Sequence, residues 1–374
     1  MKIAINGRFL LKPFTGIGQV TKNLFGELAK IESKNEYVFV VPSEIKGNFP
    51  KNVKIEVLPE KKMPAGVRKT WWEQVSFQEF VRKGDFQMVI FPYPANPWTS
   101  DFYKKGVKTV VMVHDCIPWK NRGYRRGLLS KMYQAQSRRA VKKADLVLTV
   151  SEYSKKDIVR LCGVDAAKVK VVYNDADEVY KKGVSDKEVS RVLAERGLKK
   201  GGYFLYCGGY DERKNVAFFV NEYVRFTEQS GRDIPLVLGG GKLFESRLYG
   251  SFDKKVRGVM RTGFLKASEL AALYTGCLAF VHLSKEEGFN IPIIEAGACG
   301  APLILSDIEV HREITGDEAL YVDISREGDG AQKMEKVLEA GVREGLVASA
   351  REVAGRYSWE RSAAEVRVLL DEIA

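Results

Sequence analysis

Residues 277–300, CLAFVHLSKEEGFNIPIIEAGACG, place an apolar run, a polar loop and a second apolar segment in direct succession. The run 277–284 is predicted to be a buried strand. Pro292 is predicted to be the first residue of a helix, a position that favours proline. Because strand, loop and helix form the repeating unit of a parallel sheet covered by helices, the stretch predicts an α/β fold. It also places two carboxylates eight residues apart, Glu287 in the loop and Glu295 in the first helical turn.

The same alternation covers nearly the whole chain. Amphipathic segments such as 19–30 and 128–143 lie between short apolar runs. The polar segment 178–200 separates two series of such units, and 374 residues are enough for two domains. We therefore predict two Rossmann-like, doubly wound domains, 1–180 and 181–357, whose strand ends face a central cleft. The predicted strands are 2–6, 37–41, 53–58, 88–91, 109–114, 146–151, 203–209, 234–241, 259–264, 277–284 and 301–306.

The composition is that of a globular protein. Hydrophobic residues make up 45% of the chain and charged residues 29%. The sequence contains no apolar run of the ~20 residues that span a bilayer, and the N-terminus reads as a strand rather than a secretory signal. Scattered cysteines without metal-ligand spacing predict reduced thiols in a cytosolic protein. These cysteines are Cys116, Cys162, Cys207, Cys277 and Cys299.

The positive charge is concentrated in one half of the chain. Residues 1–180 contain 32 Lys and Arg against 18 Asp and Glu, whereas residues 181–374 contain 28 against 30. The excess is greatest between 101 and 145. Such a surface could attract nucleic acid, an anionic membrane or an anionic acceptor such as a lipid diphosphate, or could simply be solvated. No nucleic-acid-binding motif accompanies the charge, so nucleic acid is the least favoured of these partners.

Glycines mark two loops that could admit a ligand. In 13–24, PFTGIGQVTKNL, Gly16 and Gly18 open a predicted helix, and a helix N-terminus favours a phosphate. Thr21 stands at the position of the third glycine of a dinucleotide fingerprint, so we do not predict an NAD site. A tight turn without a ligand remains open here. The same two readings apply to the glycines of 239–241.

A histidine and two cations also follow predicted strands. In VHDCIPW, 113–119, His114 ends an apolar run and is predicted to face the cleft as a catalytic group; the alternative is a structural histidine. In GGYDERKNV, 208–216, Arg213 and Lys214 follow a glycine turn. A guanidinium grips two oxygens and an ammonium supplies a mobile charge, so the pair suits a diphosphate. Ordinary surface cations are the alternative.

Glu287 and Glu295 are too far apart to be a glycosidase pair. Even a fully helical connection would separate them by roughly 12 Å, whereas glycosidase carboxyls lie within about 9.5 Å. Each acid could instead accept hydrogen bonds from one sugar ring of a nucleotide sugar. Backbone N–H groups of Gly288, Phe289 and Asn290 could face the diphosphate or the sugar between them.

The segment Glu287–Glu295, EGFNIPIIE, resembles the E-x7-E signature of retaining glycosyltransferases of family 4, which have the GT-B fold. Further segments resemble the family in the same order and cover nearly the whole chain. The C-terminal segment resembles the family's last helix, which crosses back onto the N-terminal domain. The further segments are TGIGQVTKNL, VHDCIP, VSEYSKKDI, GGYDERKNV, RTGFLKASELAALY and LSDIEVHREITGDEALYVD. The C-terminal segment is RYSWERSAAEVRVLLDEI, and the predicted last helix covers 358–374.

The resemblance implies roles for single residues. Glu295 would bind the ribose and Glu287 the donor sugar, while Arg213 and Lys214 would neutralise the departing diphosphate. His114 would lie near the reacting sugar. The implied catalytic residues are His114, Arg213, Lys214 and Glu287, and the implied donor-binding residues are Gly16, Gly18, Gly209, Gly288, Phe289, Asn290 and Glu295. The resemblance implies neither a metal nor a cofactor beyond a GDP- or UDP-linked sugar donor.

Three positions depart from the family pattern. Gly209 stands where many members have arginine, and Asn290 stands where glycine is common. Tyr173, Asn174 and Asp175 replace the usual Pro-Asn-Gly after the linking strand. These changes leave the fold and reaction class as expected but leave the donor undefined. Among subfamilies, the HDxxP and GGYDxRKN pattern most resembles bacterial mannosyltransferases of O-antigen and capsule assembly.

The resemblance therefore implies a retaining transferase that moves a hexose, with mannose favoured, to a glycan or lipid-linked acceptor. The acceptor would bind the basic N-terminal domain, in the cytoplasm at the inner face of the plasma membrane. A GT-B epimerase and a non-catalytic sugar-nucleotide-binding protein are the alternatives. Aromatic residues could stack on sugars or lie at the membrane, or they could be ordinary packing residues. They are Trp71, Trp72, Trp98, Trp119 and Tyr124.

Overall fold

The computed structural model describes residues 1–31, 34–45, 50–95, 106–121, 127–240 and 256–374. The chain divides into two compact units. The N-terminal unit consists of Met1–Asn174 and Ser358–Ala374, and the C-terminal unit is Asp175–Tyr357. Some residues singled out in the sequence lie outside the described residues. These are Trp98, Tyr124 and Gly241, together with 101–105 and 122–126 of the basic stretch 101–145.

The N-terminal unit contains a parallel sheet whose seven described strands have the order β3-β2-β1-β4-β5-β6-β7. Its strands consist largely of buried aliphatic residues, as expected when helices cover both faces. They are β1 (Lys2–Asn6), β2 (Glu36–Val41), β3 (Val53–Val57), β4 (Met88–Phe91), β5 (Lys108–Val113), β6 (Leu146–Thr149) and β7 (Val169–Val171).

Helices connect these strands. The helices α1–α6 are Gly16–Lys30, Ala65–Trp71, Phe77–Lys83, Ile117–Lys120, Leu128–Lys143 and Glu152–Cys162. A π-helical turn, Trp72–Ser76, joins α2 to α3, and short 3-10 helices cover Arg8–Leu11 and Ala166–Lys168.

The C-terminal unit repeats the arrangement with six described strands in the order β10-β9-β8-β11-β12-β13, all parallel. The strands are β8 (Phe204–Cys207), β9 (Leu236–Gly239), β10 (Val259–Gly263), β11 (Ala279–His282), β12 (Leu303–Ser306) and β13 (Leu320–Val322). The helices α7–α14 are Glu178–Lys181, Asp186–Ala194, Val216–Ser230, Ala267–Gly276, Ile291–Ala298, Glu309–Thr315, Asp329–Lys336 and Val342–Gly355, and a 3-10 helix covers Glu212–Lys214.

The predicted strands are all present, and two more were missed. Val169–Val171 and Leu320–Val322 have three residues each, too few for an apolar run to stand out. Two expectations about α11 were wrong. The helix begins at Ile291, so Pro292 is its second residue, and Glu295 consequently lies in the second turn rather than the first.

The C-terminal helix α15 (Trp359–Ile373) belongs to the N-terminal unit and packs on α1. Its buried residues Trp359, Ala363, Val366 and Leu370 recur every three or four positions, the spacing of one helical face. Ser362 Oγ donates a hydrogen bond of 2.7 Å to the Tyr173 carbonyl. The return of this helix to the N-terminal domain, expected from the sequence, is confirmed. Among the described residues, no helix combines the length and the apolar character that a bilayer crossing requires.

Candidate active site

The C-terminal unit brings two loops together at one edge of its sheet. Strands β8 and β11 are neighbours although β9 and β10 lie between them in sequence, because the strand order reverses there. Ligands of such sheets bind beyond the carboxyl ends of the strands at this reversal. The loop after β8 carries Arg213 and Lys214, and the loop after β11 carries Glu287. A hydrogen bond of 2.7 Å from Lys285 N to the Arg213 carbonyl joins the two loops.

Glu287 is the centre of a buried ion cluster. One carboxylate oxygen, Oε2, lies 2.7 Å from Arg213 Nη1, and the other, Oε1, lies 2.7 Å from Lys214 Nζ. Arg213 Nε also lies 3.0 Å from Asp211 Oδ1. The exposed fractions of the Glu287, Lys214 and Arg213 side chains are 6%, 11% and 22%, so water screens these charges weakly. Three residues that the sequence singled out separately are therefore in direct contact.

The cluster keeps Glu287 ionised. Burial by itself would raise the pKa of this carboxyl, but the charges of Lys214 and then Arg213 outweigh it and hold the pKa well below its ordinary value. The carboxylate in turn fixes the two cations beside the strand ends. Their remaining N–H groups can donate to an anionic ligand, since Arg carries five such groups and Lys three.

Glu295 has different partners. It lies in α11, is 3% exposed, and accepts a hydrogen bond of 3.3 Å from the hydroxyl of Tyr274 in α10. Its charge also helps raise the pKa of the neighbouring Cys207 thiol to about 12, although burial is the larger cause. The two glutamates thus occupy separate environments, one among cations and one beside a tyrosine.

Both loops of the cluster end in an asparagine with a left-handed backbone. Asn215, the N-cap residue of α9, has φ 54°, and Asn290, the N-cap residue of α11, has φ 84°; within the described ranges they are the non-glycine residues with positive φ. This conformation is unfavourable for most L-residues but is tolerated by asparagine. Phe289, 3% exposed, packs edge-on against Tyr357 at 5.5 Å and anchors the second loop.

The glycine turn after β8 has a steric reason. A Cβ atom at Gly208 would lie 2.8 Å from the hydroxyl oxygen of Tyr206, and one at Gly240 would lie 2.3 Å from the Gly208 carbonyl oxygen. A Cβ atom at Gly209 would meet only Asp211 Oδ2, at 3.4 Å. Packing therefore requires glycine at 208 and 240 but constrains residue 209 much less.

The predicted glycine loop of the N-terminal unit opens α1. Thr15 caps this helix, with its side chain accepting a hydrogen bond of 3.1 Å from Gly18 N. A Cβ atom at Gly18 would lie 2.0 Å from the Lys12 carbonyl oxygen, whereas one at Gly16 would meet no atom within 4 Å. Gly18 therefore has a packing explanation, and Gly16 has room for a ligand at the helix N-terminus.

His114 follows β5 with a defined protonation state. Its Nε2 lies 2.8 Å from the Pro92 carbonyl oxygen, which can only accept, so Nε2 carries the proton. Burial lowers the pKa of the ring to about 4, against the opposing effect of this hydrogen bond. A neutral ring protonated at Nε2 leaves Nδ1 as an acceptor. His114 also lines a cavity of about 110 Å³ together with Tyr93, Trp119 and Tyr133.

The aromatic residues that could stack on sugars or could be ordinary packing residues include two buried tryptophans. Trp72 is fully buried and donates a hydrogen bond of 2.6 Å to the Leu58 carbonyl, so it is a packing residue. Trp119 is 3% exposed and donates to Ser137 Oγ at 2.9 Å. Lys120, one of the basic residues, lies 2.7 Å from Asp157 and contributes less free charge than its sequence position suggested.

The sequence did not single out Asp211, His282 or His311, which complete the polar surroundings of the cluster. His282 is the last residue of β11. The sequence feature that could have identified it is a titratable side chain inside an otherwise apolar run. No group of three or more His, Cys, Asp or Glu side chains with metal-binding geometry occurs in the described part of the chain. All five cysteines carry free thiols. Cys207 is half-buried and the other four are buried.

Comparison with known proteins decides the family. The model for "Glycosyltransferase Family 4" matches residues 14–178, and the model for "Glycosyl transferases group 1" matches residues 192–353. The chain belongs to glycosyltransferase family 4. The resemblance seen in the sequence is therefore confirmed.

Two relatives of this family-4 member are named as O-antigen mannosyltransferases. The chain is 30% identical over 221 residues to O-antigen chain mannosyltransferase B of Escherichia coli, which covers 58% of each protein. It is 30% identical over 217 residues to O-antigen chain mannosyltransferase RfbU of Salmonella typhimurium, covering 57% of this chain and 56% of the relative. The alignments thus span little more than half the length of these relatives.

Solved structures show the fold of this family-4 member. WaaG, a glycosyltransferase involved in lipopolysaccharide biosynthesis, is 14% identical with a TM-score of 0.76 over 99% of both chains. Anabaena Alr3699/HepE, solved with UDP and glucose, is 15% identical with a TM-score of 0.72 over 100% of both chains. The fold is the GT-B fold that the sequence predicted.

Proposed function

We propose that the protein is a retaining hexosyltransferase that moves mannose from a nucleoside diphosphate sugar to a lipid-linked glycan acceptor in cell-surface polysaccharide synthesis. The observation that carries the proposal is the ion cluster of Arg213, Lys214 and Glu287 at the strand-order reversal of the C-terminal sheet. The names of the two O-antigen mannosyltransferases support the choice of mannose.

The chemistry of the cluster suits a departing diphosphate. As the sugar–phosphate bond breaks, negative charge grows on the leaving group, and cations fixed beforehand stabilise the transition state more than the ground state. Glu287 holds both cations through its own carboxylate, and it retains acceptor capacity for a sugar hydroxyl. In the same proposal Glu295 accepts hydrogen bonds from the ribose, and the Nδ1 acceptor of His114 receives one from the reacting sugar.

The basic N-terminal unit is proposed to bring the enzyme to its acceptor. A positively charged surface is attracted to anionic lipids of the cytoplasmic leaflet and to the diphosphate of a lipid-linked glycan. In this proposal the reaction takes place in the cytoplasm at the inner face of the membrane.

Transfer of labelled sugar tests the proposal. The protein is incubated with labelled GDP-mannose or UDP-glucose, with and without a polyprenyl-diphosphate-linked glycan, and label in the lipid phase is measured. We expect transfer from GDP-mannose that requires the acceptor. Isomerised donor in the arm without acceptor would indicate an epimerase instead, and nucleotide binding without turnover would indicate a non-catalytic protein.

Alanine variants locate the donor site in the same assay. Arg213→Ala is expected to lower kcat/KM for the donor by about 10²-fold, the usual loss when one group that stabilises developing charge is removed. It should also reduce the rise in melting temperature caused by GDP, since a ligand stabilises only the state that binds it. Arg191→Ala is the control, because Arg191 pairs with Glu188 and Glu195 on the surface of α8 and lies outside the cluster. Equal loss in both variants would contradict the placement of the site.

A further inference from the structure

His282 and His311 are fully buried histidines that lie on either side of Asn290. Asn290 Nδ2 lies 3.1 Å from His282 Nδ1 and 3.0 Å from His311 Nε2. The two rings are nearly perpendicular, with centroids 6.1 Å apart. His282 ends β11, His311 lies in α12, and Asn290 is the N-cap residue of α11, so one carboxamide connects three elements of the C-terminal unit.

The proton positions in this network follow from one carbonyl group. His311 Nδ1 lies 3.0 Å from the Ser306 carbonyl oxygen, which only accepts, so Nδ1 carries the proton. In a neutral ring Nε2 then accepts, and Asn290 must donate to it. The second N–H of the same amide donates to His282 Nδ1, which leaves the His282 proton on Nε2. The network therefore requires two neutral imidazoles of opposite tautomers.

The surroundings keep both rings neutral. Burial lowers the pKa of His311 to about 4, and it lowers that of His282 well below its ordinary value. Lys214 and Arg213 lower the pKa of His282 further, whereas Glu287 acts in the opposite direction on both rings. The electrostatic influence of these three residues also shows that the histidines lie beside the ion cluster.

The amide that the histidines hold sets the backbone of a donor-binding loop. Asn290 has φ 84° and ψ 66°, a conformation that glycine adopts freely and asparagine less so. Its anchored carboxamide selects this conformation among the alternatives open to the loop. The loop also carries Glu287, which contacts Arg213 and Lys214.

We propose that His282 and His311 are positioning residues of the transfer reaction, which clamp the carboxamide of Asn290 and thereby fix the loop from Glu287 to Asn290. The inference rests on the proposed glycosyl transfer. Neither histidine needs to contact the donor, because a displacement of about 1 Å in a group that orients a substrate is enough to slow a reaction about 10²-fold.

Two substitutions of His311 separate the clamp from simple packing. His311→Gln keeps an acceptor near the position of Nε2, so Asn290 retains a partner and kcat/KM for labelled GDP-mannose is expected to stay within about tenfold of wild type. His311→Leu removes the acceptor and is expected to lower kcat/KM by about 10²-fold. Thermal melts of both variants verify folding. If His311→Leu folds and transfers sugar as well as His311→Gln, the inference is overturned.

Asn290→Asp gives a readout in pH that packing alone would not produce. A carboxylate only accepts, so both rings must present an N–H group to it. His282 can do so by moving its proton to Nδ1, but His311 already donates from Nδ1 to the Ser306 carbonyl and must bind a second proton on Nε2. We expect the activity of this variant relative to wild type to increase as the pH falls from 8 to about 5.5. A ratio independent of pH would contradict the clamp.

Nitrogen-15 NMR of the wild-type protein tests the network without an activity assay. The chain has three histidines, so single substitutions assign every imidazole signal. We expect neutral rings at pH 7, with the proton on Nε2 of His282 and on Nδ1 of His311. The opposite tautomer of His311 would overturn the inference. If the wild-type protein transfers no sugar, both the proposed function and this inference are overturned. If it is active but its histidines have the wrong tautomers, only this inference is overturned.

Discussion

At the scale of single residues, the negative charge of Glu287 is balanced by two cations of the protein itself rather than by solvent. Its carboxylate contacts Arg213 and Lys214, two cations that would otherwise repel each other in a poorly hydrated place. Breaking a buried ion pair by removing one partner costs more than the pair contributes, because the remaining charge is left uncompensated. Stability and preorganisation of the site therefore depend on the same carboxylate.

Replacing Glu287 by glutamine should destabilise the protein. We expect the free energy of unfolding to fall by about 3 kcal/mol, the lower end of the range for such changes, because Arg213 keeps Asp211 as a partner. The pKa of Glu287 is lowered on folding, so its contribution is complete above its ordinary value of 4.5 and is lost only at more acidic pH. Urea denaturation at pH 6 and pH 8 should show the same difference from wild type.

An exposed acid provides the matched control. Glu327 pairs with Arg225 and its side chain is 75% exposed, so Glu327→Gln should leave the urea midpoint essentially unchanged. A Glu287→Gln variant as stable as Glu327→Gln would show that the cluster is not buried in solution.

At the scale of secondary-structure elements, the start of α1 shows how packing and ligand binding use the same residue type. Gly16 and Gly18 lie two residues apart in a motif that suggested a single purpose. Gly18 is needed because the Lys12 carbonyl approaches to 2.0 Å of where a Cβ atom would be, whereas the space at Gly16 is open. Only Gly16 therefore lacks a packing reason to be glycine.

Alanine substitutions distinguish the two glycines. Gly18→Ala should lower the free energy of unfolding by about 1–3 kcal/mol, as overpacking does. Gly16→Ala should leave stability unchanged or slightly higher, since alanine favours a helix. If a donor phosphate approaches Gly16, this variant should nevertheless lose affinity for GDP, measured by calorimetry. Unchanged affinity in Gly16→Ala would argue that the turn binds no ligand.

At the scale of the whole molecule, the two units have the same topological feature. Each sheet reverses its strand order, between β1 and β4 in the N-terminal unit and between β8 and β11 in the C-terminal unit. In the N-terminal unit, Asn6 Nδ2 donates to the Tyr93 hydroxyl at 3.4 Å across this reversal. Each unit also has a histidine close to the carboxyl ends of its strands, the half-buried His114 in the N-terminal unit and the buried His282 in the C-terminal unit.

Neutral buried histidines predict loss of stability in mild acid. Folding lowers the pKa of His114 and His311 from 6.5 to about 4, and that of His282 further. Below pH 6.5 the unfolded chain therefore binds more protons than the folded one, and the free energy of unfolding falls. The loss approaches about 1.4 kcal/mol per pH unit for each histidine and continues down to about pH 4.

Urea denaturation at pH 7.5 and pH 5.5 measures this effect. His114→Gln and His311→Gln should each show a smaller decrease between the two pH values than wild type. Glu73, whose pKa burial raises, acts in the opposite sense but is common to all three proteins. A decrease that is equal in the variants and in wild type would show that other groups cause the pH dependence.

The amino-acid pattern alone was enough to predict the fold and to identify the loops that carry the candidate site. Apolar runs and helical periodicity depend on local burial, so they predicted the strands on both sides of each reversal, and the segment from Glu287 to Glu295 identified the family. Very short strands such as Val169–Val171 escaped because three residues carry too little pattern.

The contacts between side chains that are distant in sequence became visible only in the folded chain. The contact of Glu287 with Arg213 and Lys214 joins loops more than seventy residues apart, and the Asn290 amide depends on His282 and His311 from two other elements. Sequence spacing could not reveal such pairings, because they arise when β8 and β11 become neighbours in the sheet. The ionisation and tautomers of these groups follow from burial and hydrogen-bond partners, which exist only in the folded chain.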